Sequence, residues 1–283
     1  MEFQTSRGLH GDGIVGPQTW SQLVEAGWRL GDRLLYLRSP HLRGDDVDEL
    51  QRRLSGLGFD AGRVDGIFGV RTAAALHEFQ RNAGLTTDGV CGPDTSSELR
   101  RLGPRREADA GSTVSGVRER EALRASPRTL QDRRVVVGNG GGLDALCERV
   151  HAGLRAEGAV VLTLHHPDGS VQAGEANEFG GDAFVGLDAA DEGFVVAYFV
   201  DLAGAPSAGG QRLAGLIYEE LPPVVAALVP PPRGMRTPVL RETRMVAVLC
   251  RLGPPALLVE HGPAVAAALT RALARWVQAP LEG

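Results

Sequence analysis

Residues 133–164 read RRVVVGNGGGLDALCERVHAGLRAEGAVVLTL, and this stretch decides the fold of the second half of the chain. The apolar run RRVVVG predicts a buried strand that ends in a glycine-rich turn. A helix is predicted over 143–158, with Leu146, Val150 and Leu154 on one face and Gly158 as its stop. The run 159–164 predicts a second strand. Strand, helix and strand in this order predict an α/β domain with a mainly parallel sheet flanked by helices.

The same alternation continues toward the C-terminus. Further strands are predicted at 182–190, 193–200 and 245–253, and further helices at 207–221 and 263–277. The proline-rich stretch LPPVVAALVPPPRG (221–234) predicts extended chain on the surface.

The N-terminal third contains an internal repeat. FQTSRGLHGDGIVGPQTWSQL (3–23) and FQRNAGLTTDGVCGPDTSSEL (79–99) align without a gap. Amphipathic helices are predicted at 45–59 and 70–84, and Pro93 begins a third short helix, so the second copy is an all-α three-helix unit. The first copy lacks its first two helices.

These patterns divide the chain into four parts. We expect a truncated repeat over 1–36, a complete repeat over 37–103, a linker over 104–132 and the α/β domain over 133–283. The linker is rich in charge, Gly, Ser and Pro, and VREREALR within it predicts one helical turn.

Composition excludes several classes of protein. The 283 residues carry a net charge of −5, so no basic excess points to nucleic acid. Three widely spaced cysteines (Cys91, Cys147 and Cys250) predict buried free thiols in a reducing compartment. No apolar run reaches the roughly 18–20 residues of a membrane span. Without a signal peptide, a cytoplasmic location is expected; a secreted or cell-wall location is the alternative if the true start lies upstream.

The second copy, with LQRRLSGLGF and VDGIFGVRTAAALHEFQRNAGLTTDGVCGP, resembles the peptidoglycan-binding repeat found beside bacterial cell-wall hydrolases. The resemblance implies peptidoglycan or its precursors as the binding partner. The residues expected to edge the binding groove are Asp65, Phe68, Arg71 and Asp88. A structural role is the alternative, in which Asp65 and Asp88 cap turns and Phe68 lies in the core.

The α/β domain resembles zinc-dependent N-acetylmuramoyl-L-alanine amidases. VVVGNGGG, DAFVGLDA and VLRETRMVAVLCRLG lie, in this order, where that family has its three motifs. The resemblance implies a zinc ion held by two histidines and one glutamate, with a second glutamate that transfers protons.

The family's functional positions hold other residues here. The first histidine position is Gly141, the second is Asp188 and the general-base position is Arg251. The ligand glutamate belongs to a loop that is absent, because the helix begins directly at Leu143. We therefore predict no catalytic residue, no metal site and no cofactor, with zinc as cofactor only if the chain is an active amidase. Glu260, in LLVEHGP, is the alternative to Arg251.

Two other interpretations of this region remain open. GNGGGL, between a strand and a helix, partly matches a nucleotide-binding turn, with Asp168 as its later acidic residue. Alternatively, His165, His166, Asp168 and Asp188 form a relocated metal site.

Across nearly its whole length, the chain resembles the CwlM-type proteins of actinobacteria, whose amidase-like members regulate peptidoglycan precursor synthesis inside the cell. The implied protein partner is a cytoplasmic enolpyruvyl transferase. We therefore predict a pseudo-amidase: a non-catalytic, peptidoglycan- or precursor-binding regulator of cell-wall synthesis. The alternatives are an active N-acetylmuramoyl-L-alanine amidase in peptidoglycan turnover and a wall-anchoring binding module.

Overall fold

A computed structural model describes residues 1–9, 11–102, 114–225 and 228–281. The first ten residues of the expected linker, 104–113, lie outside the described residues. The chain forms two compact units, one of residues 1–119 with 201–205 and one of residues 120–200 with 206–283.

The N-terminal unit is all-helical up to residue 102. Its helices are α1 (Glu2–Ser6), α2 (Pro17–Ala26), α3 (Asp45–Gly56), α4 (Val70–Asn82) and α5 (Pro93–Leu102). The three helices predicted for the second copy are therefore confirmed, with Pro93 at the first position of α5. Their core is formed by buried side chains at helical spacing: Val47, Leu50, Leu54, Leu76, Phe79 and Leu99.

Three of the connections between these helices, α1–α2, α3–α4 and α4–α5, are each closed by a glutamine. Gln80 Nε2 donates to Asp88 Oδ1 at 2.8 Å, to the Val90 carbonyl at 3.1 Å and to Thr95 Oγ1 at 3.3 Å. Its Oε1 accepts from the Gly89 amide at 2.9 Å. We call this arrangement a glutamine clasp.

The same clasp occurs three times. Gln51 binds Asp65, the Ile67 carbonyl, Thr72 and the Gly66 amide. Gln4 binds Asp12, the Ile14 carbonyl, Thr19 and the Gly13 amide. We call each clasped segment a half-unit; the three span residues 4–19, 51–72 and 80–95. The complete repeat contains two half-units that share α4, and the first copy contributes one.

The C-terminal unit contains a six-stranded sheet. Its strands are β1 (Arg134–Gly141), β2 (Val160–His165), β3 (Ala183–Ala189), β4 (Phe194–Phe199), β5 (Arg233–Met235) and β6 (Val246–Leu252), in the order β2-β1-β3-β6-β4-β5. Only the β4–β6 pair is antiparallel; the other four neighbours pair in parallel. The predicted α/β class with a mainly parallel sheet is confirmed.

Helices cover both faces of this sheet. They are α6 (Val114–Ala125), α7 (Asp144–Ala156), α8 (Gly169–Phe179), α9 (Ala208–Glu220), α10 (Pro222–Val225), α11 (Pro238–Glu242) and α12 (Pro255–Gln278). On one face α7, α9 and α12 pack together over Val137, Val185 and Val248. On the other face α8 and α11 pack over Val136 and Phe184.

Several elements differ from the sequence-based expectation. The expected helical turn in VREREALR is the three-turn helix α6, whose Leu123 is buried in the core. Helix α12 begins at Pro255 rather than 263 and runs through Pro263, because Leu258 and Val265 on either side of that proline are both buried in one core. The stretch 221–234, expected to be extended, contains the short helix α10 and the start of β5.

Candidate functional site

The carboxyl ends of β1, β3 and β6 bring together the three positions that correspond to the amidase motifs. Gly141 is the register partner of Asp188, and Asp188 is the register partner of Arg251. The three residues therefore lie side by side across three neighbouring parallel strands. The carboxyl edge of a parallel sheet is the usual place for a ligand site in α/β folds.

The backbone of β1 makes room for the Asp188 side chain. The register between β1 and β3 shifts between Asn139 and Gly141, which leaves Gly140 as an extra residue in a bulge. A Cβ atom at Gly140 would lie 2.1 Å from Asp188 Oδ1, so any other residue there would force the Asp188 side chain to move. Burial raises the pKa of Asp188, and the positive charge of Arg251 opposes that rise.

The residues at these three positions do not fit a zinc ion. A catalytic zinc site needs three protein ligands, usually from His, Glu, Asp or Cys. Gly141 has no side chain, and the Arg251 guanidinium stays protonated and repels a cation. Within the described part of the chain, no group of three or more His, Cys, Asp and Glu is arranged to hold a metal ion.

A polar cluster beside this edge was not predicted from the sequence. Asn139 is buried in β1, and its Nδ2 donates to Asp144 Oδ1 at 2.9 Å and lies 3.2 Å from His165 Nδ1. His165 Nδ1 also lies 3.1 Å from Asp144 Oδ1. Asn139 Oδ1 accepts from the Gly141 amide. The signal in the sequence was an asparagine directly after the predicted strand RRVVVG, with an aspartate in the first turn of the next helix.

The proposed relocated metal site is not assembled. His165 pairs with Asp144, whereas His166 Nδ1 accepts from the Asp168 amide at 3.0 Å. Asp168 caps α8 by accepting from the Ser170 amide at 2.8 Å. The contact that His165 makes is therefore separate from the one that joins His166 and Asp168.

The glycines of the GNGGGL turn have packing and backbone roles. A Cβ atom at Gly138 would lie 2.4 Å from Phe184 Cζ. Gly141 and Gly142 have φ values of 129° and 77°, which side chains rarely adopt. These requirements account for the glycines without a bound nucleotide.

Glu260 does not take the place of Arg251. It lies on α12, where its carboxylate is exposed and its Oε1 is 3.8 Å from His261 Nε2. Arg251 is the residue that pairs in register with Asp188.

The four residues expected to bind ligand in the repeat have different surroundings. Asp65 Oδ1 accepts from Gln51 Nε2 and from the Ile67 amide at 2.8 Å, as part of a clasp. Asp88 does the same with Gln80 and Val90. Hydrogen bonds from the Val90 amide and from Gln80 lower the pKa of Asp88. Phe68 is fully buried, so its side chain has no surface to offer a ligand.

Arg71 is exposed, as Asp88 is, but it lies outside the clasps. It lies in the first turn of α4, with its Nη2 3.6 Å from Asp60 Oδ2. Its Cβ and Cγ pack beside Gly62. A guanidinium held at a turn edge suits a carboxylate or phosphate group on a ligand.

The three cysteines are free and buried, as predicted. Burial raises the pKa of each thiol to about 12. Among the helices of the described residues, none has both the length and the apolar character needed to cross a lipid bilayer.

Comparisons with known proteins agree with these features. The family profile "Putative peptidoglycan binding domain" matches residues 43–99. Over 282 residues the chain is 35% identical to "N-acetylmuramoyl-L-alanine amidase CwlM" of Mycobacterium tuberculosis, which covers 89% of this chain and 69% of that protein. A spore cortex-lytic enzyme of Bacillus cereus is 50% identical over 56 residues, 20% of this chain and 22% of its own length.

Two further amidases match a smaller part of the chain or at lower identity. A probable N-acetylmuramoyl-L-alanine amidase of Bacillus licheniformis is 32% identical over 114 residues, so the chain covers only 32% of that relative's length. The crystal structure of an N-acetylmuramoyl-L-alanine amidase from Clostridium difficile aligns with 53% of this chain and 98% of its own, with 16% identity and a TM-score of 0.43. The extensive match to CwlM, together with the helical repeat and the α/β domain, gives the conclusion that the chain belongs to the CwlM family of peptidoglycan-related, amidase-like proteins.

Proposed function

We propose that the chain is a non-catalytic, peptidoglycan- or precursor-binding regulator of cell-wall synthesis, built on an amidase scaffold that has lost its metal site. The observation that carries this proposal is the side-by-side register of Gly141, Asp188 and Arg251. An arginine beside the single carboxylate puts a fixed positive charge where the amidases hold a metal ion. This charge favours the ionised form of Asp188 and disfavours binding of a cation.

The first test is the zinc content of the purified full chain, with a muropeptide-release assay on the same sample. We expect substoichiometric zinc and no release of free peptide from peptidoglycan. Asp188→Ala is the matched variant, since Asp188 is the only carboxylate among the three positions. Stoichiometric zinc that is lost in Asp188→Ala, together with peptide release, would establish the alternative, an active N-acetylmuramoyl-L-alanine amidase.

In the N-terminal unit, we propose that Arg71 contacts the bound glycopeptide or precursor, while Asp65, Asp88 and Phe68 shape the turns around it. Its exposed guanidinium on a rigid helix supports this role. Arg71→Ala is expected to weaken co-sedimentation with purified peptidoglycan. Arg81→Ala, at the exposed last turn of the same helix, is the control and should bind as the wild type does. If Arg71→Ala binds peptidoglycan as well as Arg81→Ala does, Arg71 is not part of the binding site.

We further propose a cytoplasmic location and a cytoplasmic enolpyruvyl transferase of peptidoglycan synthesis as the protein partner. The extensive likeness to CwlM supports this assignment. The test is to titrate the purified transferase with the full chain, and to measure the heat of binding by calorimetry and the turnover rate of the transferase. A wall-anchoring module, the remaining alternative, would bind peptidoglycan and leave the transferase unchanged.

A further inference from the structure

The sheet of the C-terminal unit has two edges that differ in how they are protected. At one edge, β5 is only three residues long and directly follows Pro230, Pro231 and Pro232. A short strand and neighbouring prolines are common ways to keep a sheet edge from pairing with another strand. At the other edge, β2 (VVLTLH) is six residues long and contains no proline, lysine or carboxylate. The β2 edge therefore lacks the features that protect the β5 edge.

The backbone of β2 has hydrogen-bonding groups that point away from the sheet. The Val160 amide donates to the Arg133 carbonyl, just before β1, at 2.8 Å, so the even-numbered residues of β2 point toward β1. Because backbone groups alternate along a strand, those of Val161, Thr163 and His165 point outward. Among the described residues, none offers these three a backbone partner. We call their outward amides and carbonyls the open edge.

Helix α7 continues this surface on one face of the sheet. His151 Nδ1 lies 2.8 Å from Thr163 Oγ1, which places His151 on the side of α7 that faces the open edge. Gly153 lies on the side toward α12, since a Cβ atom there would be 2.7 Å from a threonine hydroxyl of that helix. Glu148 and Arg155 lie three residues before and four after His151, so they share its side of α7. Both are exposed, and neither forms an ion pair within the described part of the chain.

The charges on this side of α7 complement themselves. Its first half carries Asp144 and Glu148, and its second half carries Arg155. A twofold axis through the open edge makes the α7 helices of two copies antiparallel, with Glu148 of each copy opposite Arg155 of the other. A surface that complements itself under a twofold rotation is what a contact between identical chains requires. This pattern identifies a second copy of the chain as the partner that fits the open edge.

The spacing of the elements agrees with this contact. Helix α7 packs against both β1 and β2, so it lies over the line between them. Neighbouring strands lie about 4.8 Å apart, which puts the α7 helices of two copies joined at β2 about 10 Å apart. Helices that pack against each other have their axes roughly 8–10 Å apart. The strands and the helices of two copies can therefore meet at the same time.

We propose that the chain forms a homodimer in which the open edges of two copies pair as antiparallel strands, with Thr163 at the twofold axis. In this register Thr163 faces Thr163 of the second copy and Val161 faces His165, which gives about six backbone hydrogen bonds. The two six-stranded sheets become one continuous sheet. His151 lies over Thr163, so the middle of α7 meets the same axis and the ion pairs between the helices agree with the strand register. The dimer is independent of the proposed loss of catalysis.

Sedimentation velocity of the full chain at concentrations from about 1 to 200 µM tests the dimer. We expect a reversible equilibrium between monomer and dimer. Thr163→Pro removes the amide hydrogen at the axis, and proline is tolerated where an edge-strand amide faces solvent, so the dissociation constant should rise about tenfold or more. Thr163→Ala is the matched control, because it loses the same hydroxyl contact with His151 but keeps the amide. It should dimerise as the wild type does.

A charge exchange on α7 tests the same axis without changing the strand. Glu148→Arg should raise the dissociation constant about threefold or more, because two arginines then face each other across the axis. Adding Arg155→Glu to this variant restores opposite charges and should return the dissociation constant to near the wild-type value. The two positions are seven residues apart on one helix, so the recovery requires contact between copies.

Three outcomes would overturn the proposal. One is a wild-type chain that stays monomeric at about 200 µM. Another is a dimer whose affinity is unchanged in folded Thr163→Pro, since the copies then meet at another surface. The third is equal weakening by Thr163→Pro and Thr163→Ala, which would mean that the outward amide takes no part. If Thr163→Pro loses the native circular dichroism spectrum, the charge exchange decides: recovery in the double variant supports the dimer, and equal affinity of all three α7 sequences overturns it.

Discussion

Replacing Gln80 by alanine removes an entire clasp from the complete repeat. The Gln80 side chain is buried and makes about three hydrogen bonds, because its two N–H groups are shared among three acceptors and its Oε1 accepts from the Gly89 amide. Each contributes about 0.5–1.5 kcal/mol net, and the buried Gly89 amide would lose its partner. The free energy of unfolding of the repeat should fall by about 3 kcal/mol, which corresponds to a roughly 100-fold larger unfolded population.

Hydrogen–deuterium exchange by mass spectrometry measures this effect in the full chain, because peptides from α3, α4 and α5 are resolved from those of the α/β unit. Slow amides in these helices should exchange roughly 100-fold faster in Gln80→Ala when exchange requires unfolding. Gln4→Ala removes the equivalent hydrogen bonds from the first half-unit, which shares no residue with the buried core of the repeat. It should leave the slow amides of α3–α5 near their wild-type rates. Exchange in Gln80→Ala within about threefold of wild type would refute the role of the clasp.

Three further predictions concern single groups. The pKa of Asp88 is lowered in the folded protein, so its contribution to stability is complete above the unfolded value of about 3.9 and is lost as the pH falls through the folded pKa. The free energy of unfolding of Asp88→Asn, measured by denaturation between about pH 2 and 5, should therefore change less with pH than that of the wild type. Gly140→Ala places a Cβ against Asp188 and should destabilise the α/β unit by roughly 1–3 kcal/mol, whereas Gly174→Ala in open space on α8 should not lower the thermal midpoint. With pKa values of about 12, the three cysteines should resist iodoacetamide at pH 8 until the protein is unfolded, as followed by intact mass; rapid alkylation of the native chain would contradict their burial.

Local patterns in the sequence predicted the helices and strands whose buried residues recur at regular spacing. Leu50 and Leu54 in α3, and the valines of β1, were placed by periodicity alone. The resemblance of 239–253 to an amidase motif also identified Arg251, which the sheet register brings beside Asp188. The periodic elements were predictable because the environment of their residues is set by their immediate neighbours in the chain.

Contacts between residues far apart in sequence were not predicted. The clasp joins Gln51 to Thr72 across 21 residues, and helical periodicity carries no information about that bond. Asn139 and His165 meet only because β1 and β2 pair in parallel. The sequence predicted the last helix over 263–277, but burial on both sides of Pro263 extends α12 further toward its N-terminus.

The place of β6 in the sheet has a consequence for how the protein is made. β6 lies between β3 and β4, yet it follows them by some fifty residues, with Gly186 in register with Leu249. During synthesis, β3 and β4 therefore leave the ribosome before β6, and the strand edges that β6 pairs with stay exposed until it has been made. Such non-local pairing is slow, and open strand edges promote aggregation. The half-units, closed within about twenty residues, need no such distant strand, so the repeat can fold before β6 has been synthesised.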